Sequence, residues 1–213
     1  MALKAVFLDC DGTLTTVRSS WEYLHRRLGL WTDRADEYQE LFRAGEIDYH
    51  EFCRRDALLW KGLSTSHLHS VISEIPYQPG ARELVRRFKR AGIITAIVST
   101  GLTALVEKVR EDLSIDLSFS NDLLEAGGLL TGEILINVDY DMKGHIVRRI
   151  LGELGVSFDE ASAIGDGEGD RGMFEEVGLP VGFRMNGNRD IFPARTAYVD
   201  HLPEIFQIPG ITV

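Results

Sequence analysis

Cysteine is almost absent from this chain. Cys10 and Cys53 are the only two in 213 residues, too few and too widely spaced for a disulfide framework or a cysteine-ligated metal, so a reducing cytoplasm is the expected setting. Basic residues are also in deficit. The 23 Lys and Arg stand against 33 Asp and Glu, leaving a net charge of −10, which argues against a general nucleic-acid binder with a basic face. Long hydrophobic runs are missing too. No stretch approaches the roughly 20 apolar residues that cross a bilayer. Lys4 is followed by only four apolar residues before Asp9, so no export signal is expected. What is present, 44% hydrophobic and 26% charged residues, suits one large core or two modest ones.

The informative stretch is Lys4 to Thr13. An apolar run, dense enough for a buried strand, ends in two carboxylates, Asp9 and Asp11, and a glycine turn. Buried carboxylates are costly unless a cation or proton compensates them. Two at the C-terminal end of a parallel strand therefore point to a metal, at the edge where such sheets bind ligands. Such a pair can also divide labour, one oxygen attacking an electrophile and the other moving a proton. The plain alternative is a helix cap and a turn former.

Residues 16–77 read as helices without strands, with Gly29, Gly45 and Gly62 as stops. Trp21, Trp31 and Trp60 all fall there, with Tyr23, Tyr38, Phe42, Tyr49 and Phe52; bulky residues of this kind build the core of a small helical unit. Pro76 and Pro79 mark a change of architecture. Beyond Gly80, strands and helices alternate: a helix at 81–91, a strand at 93–98, a helix at 102–113 and a strand at 117–120. A hairpin around Gly127-Gly128, a helix at 143–155 and strands at 161–164, 181–183 and 197–199 complete the series. The expected fold is α/β, a Rossmann-like doubly wound parallel sheet formed by residues 1–15 and 78–213, with residues 16–77 inserted after the first strand.

The strand ends carry a set of polar residues: Asp9 and Asp11 on the first, Ser99 after 93–98, and Asp166 after 161–164, with Asp170 close behind and Lys143 opening a helix. A parallel sheet brings all of these to one edge. Taken singly, Ser99 reads as a helix cap, Lys143 as a surface lysine and Asp166 and Asp170 as turn formers. Taken together, and in this order, they read as an active site.

The series Asp9-x-Asp11-Gly-Thr13, Ser99, Lys143 and Gly165-Asp166-Gly-x-x-Asp170 resembles the haloacid dehalogenase-like phosphohydrolases, whose four motifs it reproduces in order. The insertion and hairpin look like the phosphoserine phosphatase branch, and Ser19-Ser20-Trp21 most resembles an archaeal subgroup of it. The resemblance implies a Mg²⁺-dependent phosphatase acting on a small-molecule phosphomonoester through an aspartyl-phosphate. Asp9 is the implied nucleophile, Asp11 the acid and base, and Lys143 the charge stabiliser. Ser99, Thr100 and Gly101 hold phosphoryl oxygens; Asp9, the Asp11 carbonyl and Asp166 hold the metal; Asp170 and Thr13 support them. Residues 16–77 become a helical cap over the site.

Two positions depart from the phosphoserine pattern. Where that branch carries a Glu for the substrate ammonium, this chain has Arg18, which favours a carboxylate or second phosphate; Glu22, a turn later, is a possible substitute. Arg55, or else Arg54, fits the cap arginine that binds the substrate carboxylate. Gly169 stands where an Asn usually precedes the last Asp. The expected substrate is thus phosphoserine or a related phosphorylated carboxylic acid, with phosphotransfer to an alcohol, or a phospho-accepting signalling or binding role, as alternatives. His67, His69, His145 and Glu168 read as ordinary solvated residues. Oligomeric state is not legible.

Overall fold

Apolar strands that end in polar loops need partners on both sides. In the structure, a computed structural model describing residues 2–30, 33–185, 187 and 189–211, they find them in a single seven-stranded sheet. The strands are β1 (Ala5–Leu8), β2 (Ile94–Leu102), β3 (Leu117–Ala126), β4 (Leu129–Leu135), β5 (Ala161–Gly165), β6 (Leu179–Phe183) and β7 (Ala197–Val199). Their spatial order is β4-β3-β2-β1-β5-β6-β7. All neighbours are parallel except β3 and β4, an antiparallel hairpin that turns at Gly127 and Gly128, both with positive φ.

β1 lies in the middle, and this is what gathers the site. Leu8 pairs with Ile97 of β2 and Ile164 of β5, so Asp9, Ser99 and Asp166 emerge side by side. Alternation along the strands separates two cores. Val6, Leu8, Ile97 and Ile164 face one side, while Ala5, Phe7, Ala96, Val98 and Ala163 face the other.

Between β1 and α5 (Ala81–Arg90) come four helices: α1 (Ser20–Arg27), α2 (Asp33–Arg43), α3 (Tyr49–Leu59) and α4 (Thr65–Ser73). Ser19, Asp48 and Ser64 cap α1, α3 and α4 through side-chain oxygens that accept from backbone N–H groups. Gly29, Gly45 and Gly62 all take the left-handed conformation that stops a helix. The ends of the insertion meet in an antiparallel bridge between Thr15 and Tyr77. Its apolar residues, Trp21, Leu24, Cys53 and Trp60 among them, join the first of the two cores. The remaining helices are α6 (Thr103–Leu113), α7 (Lys143–Leu154) and α8 (Arg171–Glu175). None of the described helices is long and apolar enough to cross a membrane.

Two strands run further than expected. β2 continues through Ser99, Thr100 and Gly101 to Leu102, its pairing with β3 shifting register between Val98 and Leu102. β3 is one strand from Leu117 to Ala126 rather than a short strand and a separate hairpin arm. Buried Asn121 explains the continuity: its Oδ1 accepts from the Asn137 and Val138 N–H groups, and its Nδ2 donates to the Val138 carbonyl. Trp31 lies outside the described residues.

Candidate active site

The first loop delivers two carboxylates to the middle of the sheet edge. Asp9 is almost fully buried, its backbone N–H donating to the Ile164 carbonyl at 2.9 Å. Lys143, the first residue of α7, donates from Nζ to Asp9 Oδ1 at 2.6 Å and to Asp170 Oδ1 at 2.8 Å. All three side chains are less than a tenth exposed. Lys143 comes this deep because α7 begins against α8 with glycine on glycine: a Cβ on Gly144 would lie 2.6 Å from the Gly172 carbonyl oxygen. The second oxygen of Asp170 accepts from the Gly167 N–H at 3.1 Å, so both its oxygens are committed to fixing Lys143 and the loop.

Asp166 stands across from Asp9. Gly12 has φ of +79°, and a Cβ there would fall 2.2 Å from Asp166 Oδ2; only glycine makes this turn and admits the carboxylate. One oxygen each from Asp9, Asp166 and Asp170 lies within 4.8 Å of the others. Arg18 is mostly exposed, its Nε 4.0 Å from Asp166 Oδ2.

The electrostatics follow from this crowding. Burial raises Asp9 well above the usual carboxylate range, Lys143 opposes it, and Asp170 and Asp166 push the same way as burial. Burial, then Asp170, raises Asp166 to about 7. Burial works against the charge of Lys143, but Asp170 and Asp9 outweigh it and hold the ammonium charged. Burial also raises Asp11, against a hydrogen bond from the Ser20 N–H to its Oδ2 at 2.7 Å. Its Oδ1 is buried and has no hydrogen-bond partner.

Ser99 is buried, and its Oγ accepts from the Gly101 N–H at 3.0 Å. A Cβ on Gly101 would come within 3.3 Å of Asp11 Oδ2, so this backbone borders the site directly. Two side chains that the sequence does not advertise hold it there. Tyr49 Oη donates to the Thr100 carbonyl at 2.8 Å, and Asn121 Nδ2 donates to the same oxygen at 3.1 Å. Gln78 Nε2 likewise donates to the Gly12 carbonyl at 3.0 Å. Nothing in the sequence distinguishes these from other polar residues; their partners are backbone atoms distant in the chain. Thr13 is buried beneath the loop. Arg55 lies on α3 with Nε on Glu51 at 2.6 Å and its guanidinium over the Tyr38 ring, and Arg54 also pairs with Glu51. Glu22 pairs with Arg26. His67, His69, His145 and Glu168 are exposed.

A mixed sheet with a buried Asp directly after its central strand, an Asp two residues on, a buried Lys and a downstream acidic loop define a class. The profile of the haloacid dehalogenase-like hydrolases matches residues 6–175, and the chain belongs to that family. It is 34% identical over 181 residues to the phosphoserine phosphatase of Archaeoglobus fulgidus, covering 84% of this chain and 52% of that protein; the chain thus spans about half the length of this relative. It is 30% identical to the phosphoserine phosphatase of Idiomarina loihiensis, covering 92% of this chain and 86% of that one. Among solved structures, a phospho-aspartyl intermediate analogue of phosphoserine phosphatase superposes with a TM-score of 0.83 at 25% identity, covering 97% of this chain and 99% of that one.

Proposed function

We propose that the protein is a Mg²⁺-dependent phosphomonoesterase that hydrolyses a small phosphorylated metabolite through an aspartyl-phosphate on Asp9. The observation that carries this is the buried Asp9–Lys143–Asp170 chain beside Asp11. Lys143 on Asp9 Oδ1 fixes the carboxylate's rotation and leaves Oδ2 to attack phosphorus in line. The same ammonium offsets charge on the transferring group. Asp11, its proton affinity raised by burial, carries a proton on Oδ1 to the departing alkoxide. It then takes one from the water that cleaves the acyl-phosphate. Ser99 and the Thr100 and Gly101 backbone hold the phosphoryl oxygens, and Thr13 and Asp170 support the loop and Lys143.

The residues fit a divalent cation. Three carboxylates share one small volume, and burial and Asp170 raise Asp166 to about 7 against the opposing pull of Arg18 and Lys143, as expected where a hard cation would satisfy oxygen ligands. Asp9, the Asp11 carbonyl and Asp166 would hold Mg²⁺, which neutralises the phosphate dianion against the approaching carboxylate. Residues 16–77 act as a cap that shields this chemistry from water. The Ser20 N–H on Asp11 and the Tyr49 hydroxyl on Thr100 would link cap position to the acid and to the phosphate-binding backbone.

The relatives bring phosphoserine, or a related phosphorylated carboxylic acid, to this chain as substrate. Arg18 at the edge of the acidic cluster, and Arg55 after leaving Glu51, are the cations for such a carboxylate. The test is phosphate release from a panel of phosphorylated metabolites with Mg²⁺, with chelator, and with Asp9→Asn. Turnover that requires both the metal and Asp9 supports the reading; metal-independent turnover, or turnover by the variant, overturns it.

A further inference from the structure

Asn121 on β3 is fully buried, and its partners fix the orientation of its amide. The Asn137 and Val138 N–H groups, which can only donate, meet Oδ1 at 2.9 and 2.8 Å, so the other amide atom is the nitrogen. That nitrogen lies 3.0 Å from the Val138 carbonyl, 3.1 Å from the Thr100 carbonyl and 3.1 Å from Tyr49 Oη. Val138 is itself fully buried and is bonded through both its N–H and its carbonyl, so it anchors the amide. The second N–H of the amide is then shared between Thr100 and Tyr49.

These donors act on the Thr100–Gly101 peptide. Tyr49 Oη donates to the Thr100 carbonyl at 2.8 Å, and burial pushes the phenol up, so it keeps the proton it donates. A trans peptide carries its C=O and N–H on opposite sides of one rigid plane. Two donors on the carbonyl therefore aim the Gly101 N–H the other way, where it meets Ser99 Oγ at 3.0 Å. Because that N–H can only donate, Ser99 Oγ accepts there and has its own hydrogen left to give. Asp11 borders the same space: a Cβ on Gly101 would lie 3.0 Å from Ser99 Oγ and 3.3 Å from Asp11 Oδ2. Hydrogen bonds in a chain polarise one another, so each donor on the Thr100 carbonyl strengthens the bond that reaches Ser99.

We propose that Asn121 is a positioning residue for phosphoryl transfer: with Tyr49, it orients and polarises the Thr100–Gly101 peptide so that the Ser99 hydroxyl is presented to a phosphoryl oxygen. Neither side chain touches the substrate. The relay runs from the amide and phenol to the Thr100 carbonyl, through the peptide to the Gly101 N–H, and on to Ser99. Asn121 comes from β3 of the sheet and Tyr49 from α3 of the inserted helices, so the relay is complete only where the two meet. The proposal rests on the phosphomonoesterase reading for its link to turnover.

The test is a double-mutant cycle against Ser99→Ala, with Mg²⁺ present. Asn121→Ala is expected to lower kcat by about tenfold with KM changed less, and Tyr49→Phe to lower it several-fold. In the Ser99→Ala background each is expected to change kcat by less than about twofold, because the group they act through is gone. Losses that persist undiminished in Ser99→Ala overturn the proposal and leave Asn121 a purely structural residue. Native kcat in a folded Asn121→Ala enzyme overturns it as well. If Asn121→Ala does not fold, the Tyr49→Phe arm of the cycle decides by the same criterion. Calorimetric binding of inorganic phosphate in the presence of Mg²⁺ separates this proposal from the phosphatase reading. If no ester is hydrolysed, that reading fails, yet phosphate binding that Tyr49→Phe weakens only while Ser99 is present still upholds the relay. Phosphate binding that Tyr49→Phe leaves unchanged, or no phosphate binding by the native protein, refutes it.

Discussion

Two buried acidic centres, one at the sheet edge and one among the helices between β1 and α5, are compensated in opposite ways. At the sheet edge, Asp9 and Asp170 grip a shared ammonium at 2.6 and 2.8 Å. In the inserted helices, Asp56 has His25 Nε2 3.5 Å from one oxygen and no hydrogen-bond partner on the other. A pair that satisfies itself is fixed geometry, suited to holding a nucleophile at one angle. A buried carboxylate with one oxygen unsatisfied is a local cost that the surrounding helices carry.

Asp9→Asn should lower kcat by about 10⁴-fold or more while the fold persists, as loss of a covalent nucleophile does elsewhere; steady-state phosphate release and circular dichroism check this together. Lys143→Met should cost about 10²- to 10³-fold in kcat. It should also destabilise the metal-free protein by ~3 kcal/mol, because two buried carboxylates lose their cation. Asp56→Asn, by contrast, should change thermal stability little, since one of its carboxylate oxygens has no hydrogen-bond partner to lose; melting curves of the two variants side by side test this. A large loss for Asp56→Asn would place a hidden counter-charge in the helices.

Proton competition gives a smaller effect. With Asp166 at about 7 in the metal-free fold and near 4 when unfolded, the folded state binds the extra proton between those values. Its stabilising contribution is complete below about pH 4 and is lost as the pH rises to about 7. Mg²⁺ must displace that proton, so its affinity should rise about tenfold between roughly pH 6 and pH 8 and then level off. Calorimetric titration across this range reads it, and a flat profile would show that Asp166 is not a ligand. Least affected is Tyr49→Phe, expected to lower kcat several-fold and stability by about 1 kcal/mol through the Thr100 carbonyl, with Asn121 retaining part of the restraint.

The sheet and the acidic edge were legible because they are written in local patterns. Ala5–Leu8 is an apolar strand interrupted by Asp9, and Ala161–Gly165 repeats the grammar before Asp166. Three helices of the insertion, α1, α2 and α3, end at or near Gly29, Gly45 and Gly62, the stops the sequence offered; the caps Ser19, Asp48 and Ser64 emerge only from the structure. What escaped was long-range. Tyr49, Asn121 and Gln78 act on backbone atoms of Thr100, Val138 and Gly12, and no spacing encodes such contacts. The run of β2 through Ser99 to Leu102 escaped for a related reason: Ser-Thr-Gly reads as a loop until the pairing with β3 is known. Asp56 escaped as one acidic residue among many on a helix, and only its burial among aromatic rings sets it apart.

The claim that Asp9 becomes phosphorylated is tested most directly by trapping the intermediate. Asp11→Asn, slowed in hydrolysing the acyl-phosphate, would be mixed with a labelled phosphomonoester and Mg²⁺, quenched in acid and mapped by peptide mass spectrometry. Hydroxylamine-labile phosphate on the peptide carrying Asp9 is the expected result. Label on Ser99, or turnover with no protein-bound label at any time, would contradict it.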